Sequence, residues 1–220
     1  MKKVIIILLI LIVLGVGGFF GYRYFKPENK PINTKKVYTD SIKGYDYKLE
    51  KRDSKLYKEK YAELKKVLES KTIDYEEYAK LLAQLYIIDL YTIDNKVNTY
   101  DVGGSEFIYP DALENYELKV KDTIYRYMED NSYGKRKQEL PSVDSIKVES
   151  IKETTFELKG EEGKESKSLE GYEVKLSWSY EKDLGYDEKA TVILVKDEDE
   201  KMVYVIEQND GKEKTDEKDE

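Results

Sequence analysis

Residues 81–91 read LLAQLYIIDLY, an almost unbroken apolar run. A helix-start signal precedes the run, because Asp74 can cap a first turn and Glu77 follows three residues later. A helix that is apolar on nearly all sides is normally buried on most of them. We therefore predict a helix from Asp74 to Tyr91 at the centre of the core.

Two further helices are predicted on either side of this one. Apolar side chains recur at helical spacing between residues 57 and 68, which predicts an amphipathic helix that begins at Asp53 or Ser54 and ends near residue 70. Residues 94–109 form a predicted loop broken by Gly103 and Gly104. The helical spacing then returns, so a third helix is predicted from Pro110 to residues 131–134.

The apolar period changes from 3.6 to 2 after residue 141, which predicts strands. The predicted strands cover residues 143–158, 172–181, 190–195 and 202–206, with a bulge near residues 150–152, where the apolar parity slips. A short leading strand is predicted at residues 44–49. Helices followed by consecutive antiparallel strands predict an α+β fold, with three helices packed on one face of a curved antiparallel sheet.

The N-terminus carries a long uncharged segment rich in Ile, Leu and Val at residues 4–22. As a helix it would extend about 28 Å, close to the roughly 30 Å hydrocarbon thickness of a bilayer. Bulky aromatic residues at its end, such as Phe20 and Tyr22, suit a membrane interface better than a cleavage site. We predict a retained transmembrane helix, with a cleaved signal peptide as the alternative.

The predicted organisation has four parts. Residues 1–25 are a transmembrane anchor, residues 26–44 a linker with Pro27 and Pro31, residues 45–207 the α+β domain, and residues 208–220 a charged disordered tail. More basic residues follow the anchor than precede it, so the positive-inside rule counted alone would place the domain in the cytoplasm; however, long domains cross membranes largely regardless of such charges. Because a short basic tail before an apolar run is typical of secretory signals, we predict a single-pass protein of the cell membrane with an extracytoplasmic domain.

Composition excludes several classes of function. The chain has 38 basic and 46 acidic residues and a net charge of −8, which argues against a nucleic-acid partner. It has no cysteine and no histidine, so disulfides, thiol nucleophiles, imidazole catalysis and ordinary zinc sites are absent. The acidic groups at residues 94–101 and 197–200 do not follow the spacing of a calcium-binding EF-hand loop. No metal and no cofactor is predicted.

The order and texture of the elements resemble a known family. Three helices followed by long, bulged strands, with closing strands at 172–181, 190–195 and 202–206, are similar to the NTF2-like cone fold of membrane-anchored bacterial proteins. The resemblance covers Ser54 to Glu207 and rests on element order, because no diagnostic motif is present. It implies a packing, assembly or ligand-holding module, in some cases an enzyme, and it transfers no site residue.

Two pairs of residues are candidates for a cavity or partner-binding site. Asp89 lies near Tyr86 in the most apolar helix, where a carboxylate can act as a general base; the alternative is a structural, hydrogen-bonded aspartate. Trp178 and Tyr180 lie on the apolar face of a strand, which lines the cavity of a cone fold. They can hold a hydrophobic ligand or peptide, or simply fill the core.

The absence of a catalytic constellation favours a binding function. We predict a membrane-anchored extracytoplasmic module that binds a protein or cell-envelope partner without catalysis. The alternative is a small-ligand binder or a cofactor-free enzyme that uses the cone cavity, with Asp89 and a tyrosine. An open, polar-lined pocket around Asp89 would favour the alternative, and a filled interior would favour the partner-binding module.

Overall fold

The computed structural model describes residues 35–158 and 166–197 and the backbone of residues 203–209. These residues form an α+β fold with three helices and two antiparallel sheets, which confirms the predicted class. The elements are β1 (Tyr38–Ser41), β2 (Lys48–Glu50), α1 (Lys55–Leu68), α2 (Tyr75–Tyr91), α3 (Leu113–Asp122), β3 (Val143–Leu158), β4 (Lys167–Tyr180), β5 (Lys189–Lys196) and β6 (Val203–Asn209).

The predicted membrane anchor lies outside the described residues. Within the ranges given above, no helix is both long and apolar enough to cross a bilayer. Most of the predicted linker and of the tail also falls outside these ranges. The described residues belong to one compact unit of the chain.

Helices α1 and α2 start where the sequence predicts, because their caps are local. The Ser54 hydroxyl accepts a hydrogen bond from the Tyr57 backbone N–H at 3.1 Å, and the Asp74 carboxylate accepts one from the Glu77 N–H at 3.0 Å. Between residues 78 and 91 every α2 side chain is buried except two half-buried ones, those of Lys80 and Asp89. Helix α2 is therefore the centre of the core, as predicted.

The larger sheet is an antiparallel meander in the order β3-β4-β5-β6. Its register shifts between Val148 and Ser150, beside the bulge predicted at residues 150–152, and again near Val143. Alternate side chains of the central strands are buried in the same hydrophobic cluster as α2. The contact between the rings of Tyr91 and Trp178, whose centroids are 5.0 Å apart, joins helix and sheet directly.

The described fold begins before residue 45, inside the segment predicted as linker. Strand β1 lies inside the predicted linker and pairs with β2, which is the observed form of the strand predicted at 44–49. Ile42, between the two strands, is 1% exposed and part of the core. Lys65 of α1 also binds the Asp40 carboxylate at 2.7 Å. A short strand held by such distant contacts leaves no periodic pattern in the sequence.

The end of the third helix and the end of the last strand also differ from the predicted positions. Helix α3 ends at Asp122 rather than at residues 131–134, because Tyr125 turns into the core. The Tyr125 hydroxyl donates to the Leu90 carbonyl at 2.8 Å and accepts from the Gly103 N–H at 3.2 Å. At the other end, β6 continues to Asn209, two residues into the predicted tail.

Candidate functional site

A cleft of about 280 Å³ opens beside Asp89, where β2, the start of α1 and a short 3-10 turn at Ser105–Phe107 meet. We call it the Asp89 cleft. Its lining is mostly polar and charged, and the apolar side chains of Val102 and Leu113 contribute to it. Its charged lining residues include Lys36, Lys48, Glu50, Asp53, Asp89 and Glu106.

Both carboxylate oxygens of Asp89 are engaged by the protein itself. One oxygen accepts a hydrogen bond from the Gly104 N–H at 2.7 Å, and the other contacts the ammonium group of Lys96. The Lys96 side chain is 5% exposed and that of Asp89 is 18% exposed. This geometry supports the structural interpretation of Asp89, because a carboxylate already paired with a buried cation is a poor general base.

Tyr86 belongs to the core and does not line the Asp89 cleft. It packs against Gly104, which has a φ of 78° and leaves no room for a side chain. A Cβ atom there would lie 2.8 Å from the Tyr86 ring and 2.7 Å from the Tyr116 hydroxyl. The two residues predicted to share one site therefore have different places. Asp89 lines the cleft, while Tyr86 lies in the core and packs against the glycine loop.

Two other carboxyl groups form the floor of the cleft, and the sequence analysis missed both. Glu106 accepts a hydrogen bond from the Tyr57 hydroxyl at 2.7 Å, and Asp53 accepts one from the Glu50 N–H at 2.6 Å. Burial, with repulsion from Asp89, raises the pKa of Glu106 to about 7. Burial also raises the pKa of Asp53 to about 6, again with Asp89 adding to the effect.

An ion-pair network lies behind one side of the cleft, where Lys36 and Glu50 line it. Arg52 donates two parallel hydrogen bonds to Asp101, at 2.5 and 2.7 Å, and a third to Glu50 at 2.8 Å. Lys36 contacts the other oxygen of Glu50 at 2.8 Å. Burial alone would raise the pKa of Asp101, but the Arg52 fork and a backbone N–H outweigh it and hold that pKa below its usual value.

Trp178 and Tyr180 contact one another but do not reach the Asp89 cleft. The Trp178 indole N–H donates to the Tyr180 hydroxyl at 2.8 Å, and that hydroxyl donates to the Asp187 carbonyl at 2.5 Å. Trp178 is 5% exposed and packs on Tyr91. The geometry matches the core-filling alternative for this pair, because both polar groups are satisfied within the protein.

A second cavity, of about 470 Å³, lies on the sheet between the ends of β3, β4 and β5. Among the described residues that line it, the basic side chain is that of Lys196, which contacts the Glu170 carboxylate at 3.1 Å and lies over the ring of Tyr75 at 5.3 Å. Burial raises the pKa of two described carboxyl groups to about 6 and about 7, those of Asp53 and Glu106, and both lie in the Asp89 cleft. The Asp89 cleft is therefore the stronger candidate site.

In the described part of the chain, no group of three or more carboxylates is arranged so that it could hold a metal ion. No protein-family model matches the chain, and neither a curated protein nor a solved structure matches it. The NTF2-like resemblance stays a prediction from the order of the elements.

Proposed function

We propose that this chain is a non-catalytic binding module, held at the cell membrane by residues 4–22, whose extracytoplasmic domain receives part of a protein or cell-envelope partner in the Asp89 cleft. An open polar cleft beside Asp89 is the feature expected to favour the small-ligand or enzyme alternative, so the cleft by itself does not separate the two. The observation that supports the proposal is that the central carboxylate of this cleft is already used to hold the fold together. Such a carboxylate shapes a surface and does not move protons.

The chemistry of the cleft floor suggests which group of the partner would enter. Asp53 and Glu106 accept hydrogen bonds from neutral donors only, and no described lysine or arginine lies within ion-pair distance of either. Lys36 and Lys48 stand nearer the mouth and are exposed. A partner group that donates hydrogen bonds would find acceptors at the floor.

The alternative is a small-ligand binder or a cofactor-free enzyme that uses the same cleft. One observation favours it: Glu106 and Asp53 have pKa values near 7 and 6, where a carboxyl group can both give and take protons at neutral pH. Proton transfer would then involve these two carboxyl groups and Tyr57 rather than Asp89 and Tyr86.

Site-directed photocrosslinking in living cells tests the proposal. A photoreactive residue at the exposed Lys48 position, on the rim of the cleft, is expected to give a discrete protein adduct of the full-length chain. The same residue at Lys175, exposed on β4 and outside the cleft lining, is the matched control and should give none. Equal labelling at both positions, or no adduct at Lys48 to either a protein or an envelope polymer, contradicts the partner-binding proposal.

The proposed topology makes a separate prediction. Protease added to intact cells whose wall has been removed should digest the domain, because the proposal places it outside the cytoplasm. A cytoplasmic protein probed in the same sample must survive, which shows that the cells stayed intact. Digestion that occurs only after lysis would place the domain in the cytoplasm and reject the proposed location.

A further inference from the structure

Glu106 connects two elements across the floor of the Asp89 cleft. It belongs to the 3-10 turn, and its carboxylate accepts the hydrogen bond from Tyr57 in the first turn of α1. Tyr57 is 3% exposed, and the next residue of the turn, Phe107, is fully buried against Tyr47. The bond between Tyr57 and Glu106 therefore joins α1 to the turn at a place with little access to water.

The charges that face Glu106 are mostly of its own sign. Asp53 faces it from the residues that precede α1 and Asp89 faces it from α2, while Lys36 is the cation with the largest effect on it among the described residues. Lys36 is already paired with Glu50, and Asp89 is paired with Lys96, which weakens the repulsion between Asp89 and Glu106 without removing it. The rest of the charged cleft lining consists of Asp46 and Lys48, both exposed at the rim.

These surroundings make the ionised form of Glu106 costly. A half-buried carboxylate loses hydration and is repelled by two neighbouring carboxylates, and one neutral hydroxyl compensates only in part. Protonation removes the charge and with it both costs. The pKa of Glu106 near 7 results from these opposing effects. Asp53, whose own pKa is raised to about 6, contributes part of the repulsion.

We infer that Glu106 is a proton-operated latch that holds the 3-10 turn against α1 when it is protonated and loosens the turn when it ionises. Because the turn forms one side of the Asp89 cleft, the latch would control access to the binding site of the proposed function. The cleft would be tight in mildly acidic surroundings and more open above neutral pH.

Linkage sets the sign of the effect. The pKa of Glu106 in the folded chain lies above its usual value of 4.5, so the folded state binds more protons than the unfolded state between these pH values. The contribution of protonated Glu106 to the free energy of unfolding is complete below pH 4.5 and is lost as pH rises through about 7. At pH 8, Glu106→Gln should therefore lower the unfolding equilibrium constant roughly tenfold or more, with the difference closing near pH 5.

The experiment compares full-length wild type and E106Q between pH 5 and pH 8. Chemical denaturation measures the pH-dependent difference, and E114Q, an exposed carboxylate at the start of α3, is the matched control expected to behave as wild type. Hydrogen exchange, corrected for its intrinsic pH dependence, should show the Phe107 amide opening more at pH 8 in wild type but not in E106Q.

A second variant keeps the test independent of how well E106Q folds. Tyr57→Phe removes the donor that favours ionised Glu106, so the stability transition should move to higher pH. The inference is overturned if E106Q retains the pH dependence of wild type, or if exchange at Phe107 does not change with pH. These readouts need no partner, so a failure of photocrosslinking would reject the proposed function and leave the latch standing.

Discussion

Gly103→Ala is expected to destabilise the domain by about 3–5 kcal/mol, a large part of the total stability of an ordinary domain. A Cβ atom at this position would lie 2.1 Å from the backbone oxygen of Asp89 and 2.6 Å from its carbonyl carbon. Neither atom can move aside, because both belong to the backbone of the buried helix α2. The glycine loop would have to move away instead.

That movement would break the contacts that hold the loop on α2. The Gly104 N–H would lose the Asp89 carboxylate, the Gly103 N–H would lose the Tyr125 hydroxyl, and the Tyr116 hydroxyl would lose the Gly103 carbonyl. Each such hydrogen bond contributes about 0.5–1.5 kcal/mol, and steric overpacking costs about 1–3 kcal/mol. The loss of stability expected for Gly103→Ala is therefore several times that of an ordinary surface substitution.

Gly44→Ala is the matched control for this prediction. Gly44 has a φ of 88°, but no atom lies within 4 Å of the position its Cβ would take, so only backbone strain of about 1 kcal/mol is expected. Urea denaturation followed by circular dichroism measures both variants. A Gly103→Ala loss no larger than that of Gly44→Ala would show that the loop is free to move.

Elements with local signals were predictable from the sequence. Ser54 and Asp74 cap the helices that follow them within three residues, and β4 alternates in polarity along its length. Such signals need only neighbours in the chain. Strand β1 needs β2 and the Lys65–Asp40 contact, so its residues resemble those of a linker until the domain has folded.

The candidate site was largely unpredictable for the same reason. Tyr57 and Glu106 are 49 residues apart, and Tyr57 has the spacing of an ordinary core residue in α1. The Gly103-Gly104 pair predicted only a loop, although a loop of adjacent glycines pressed against α2 is what brings Glu106 to the cleft. Asp89 was found because a carboxylate within an apolar helix stands out, but its partner Lys96 follows in a loop with no regular spacing.

The final prediction concerns that partnership, because the role of Asp89 depends on it. Asp89→Asn should cost about 3 kcal/mol, since it leaves the ammonium of Lys96 in the protein interior without its counter-charge. Lys96→Met leaves Asp89 unpaired among the other cleft carboxylates and should cost a similar amount. The double variant removes both charges and should cost clearly less than the sum of the two.

A double-mutant cycle by urea denaturation measures this coupling, expected at about 2 kcal/mol. The matched control is the exposed pair of Lys55 and Glu59 on α1, whose charged groups are 3.7 Å apart and whose coupling should be about 0.3 kcal/mol. Additive losses at Asp89 and Lys96 would mean that the two charges do not depend on each other. The Asp89 carboxylate would then be available for chemistry, and the enzyme alternative would gain the base that its sequence pattern first suggested.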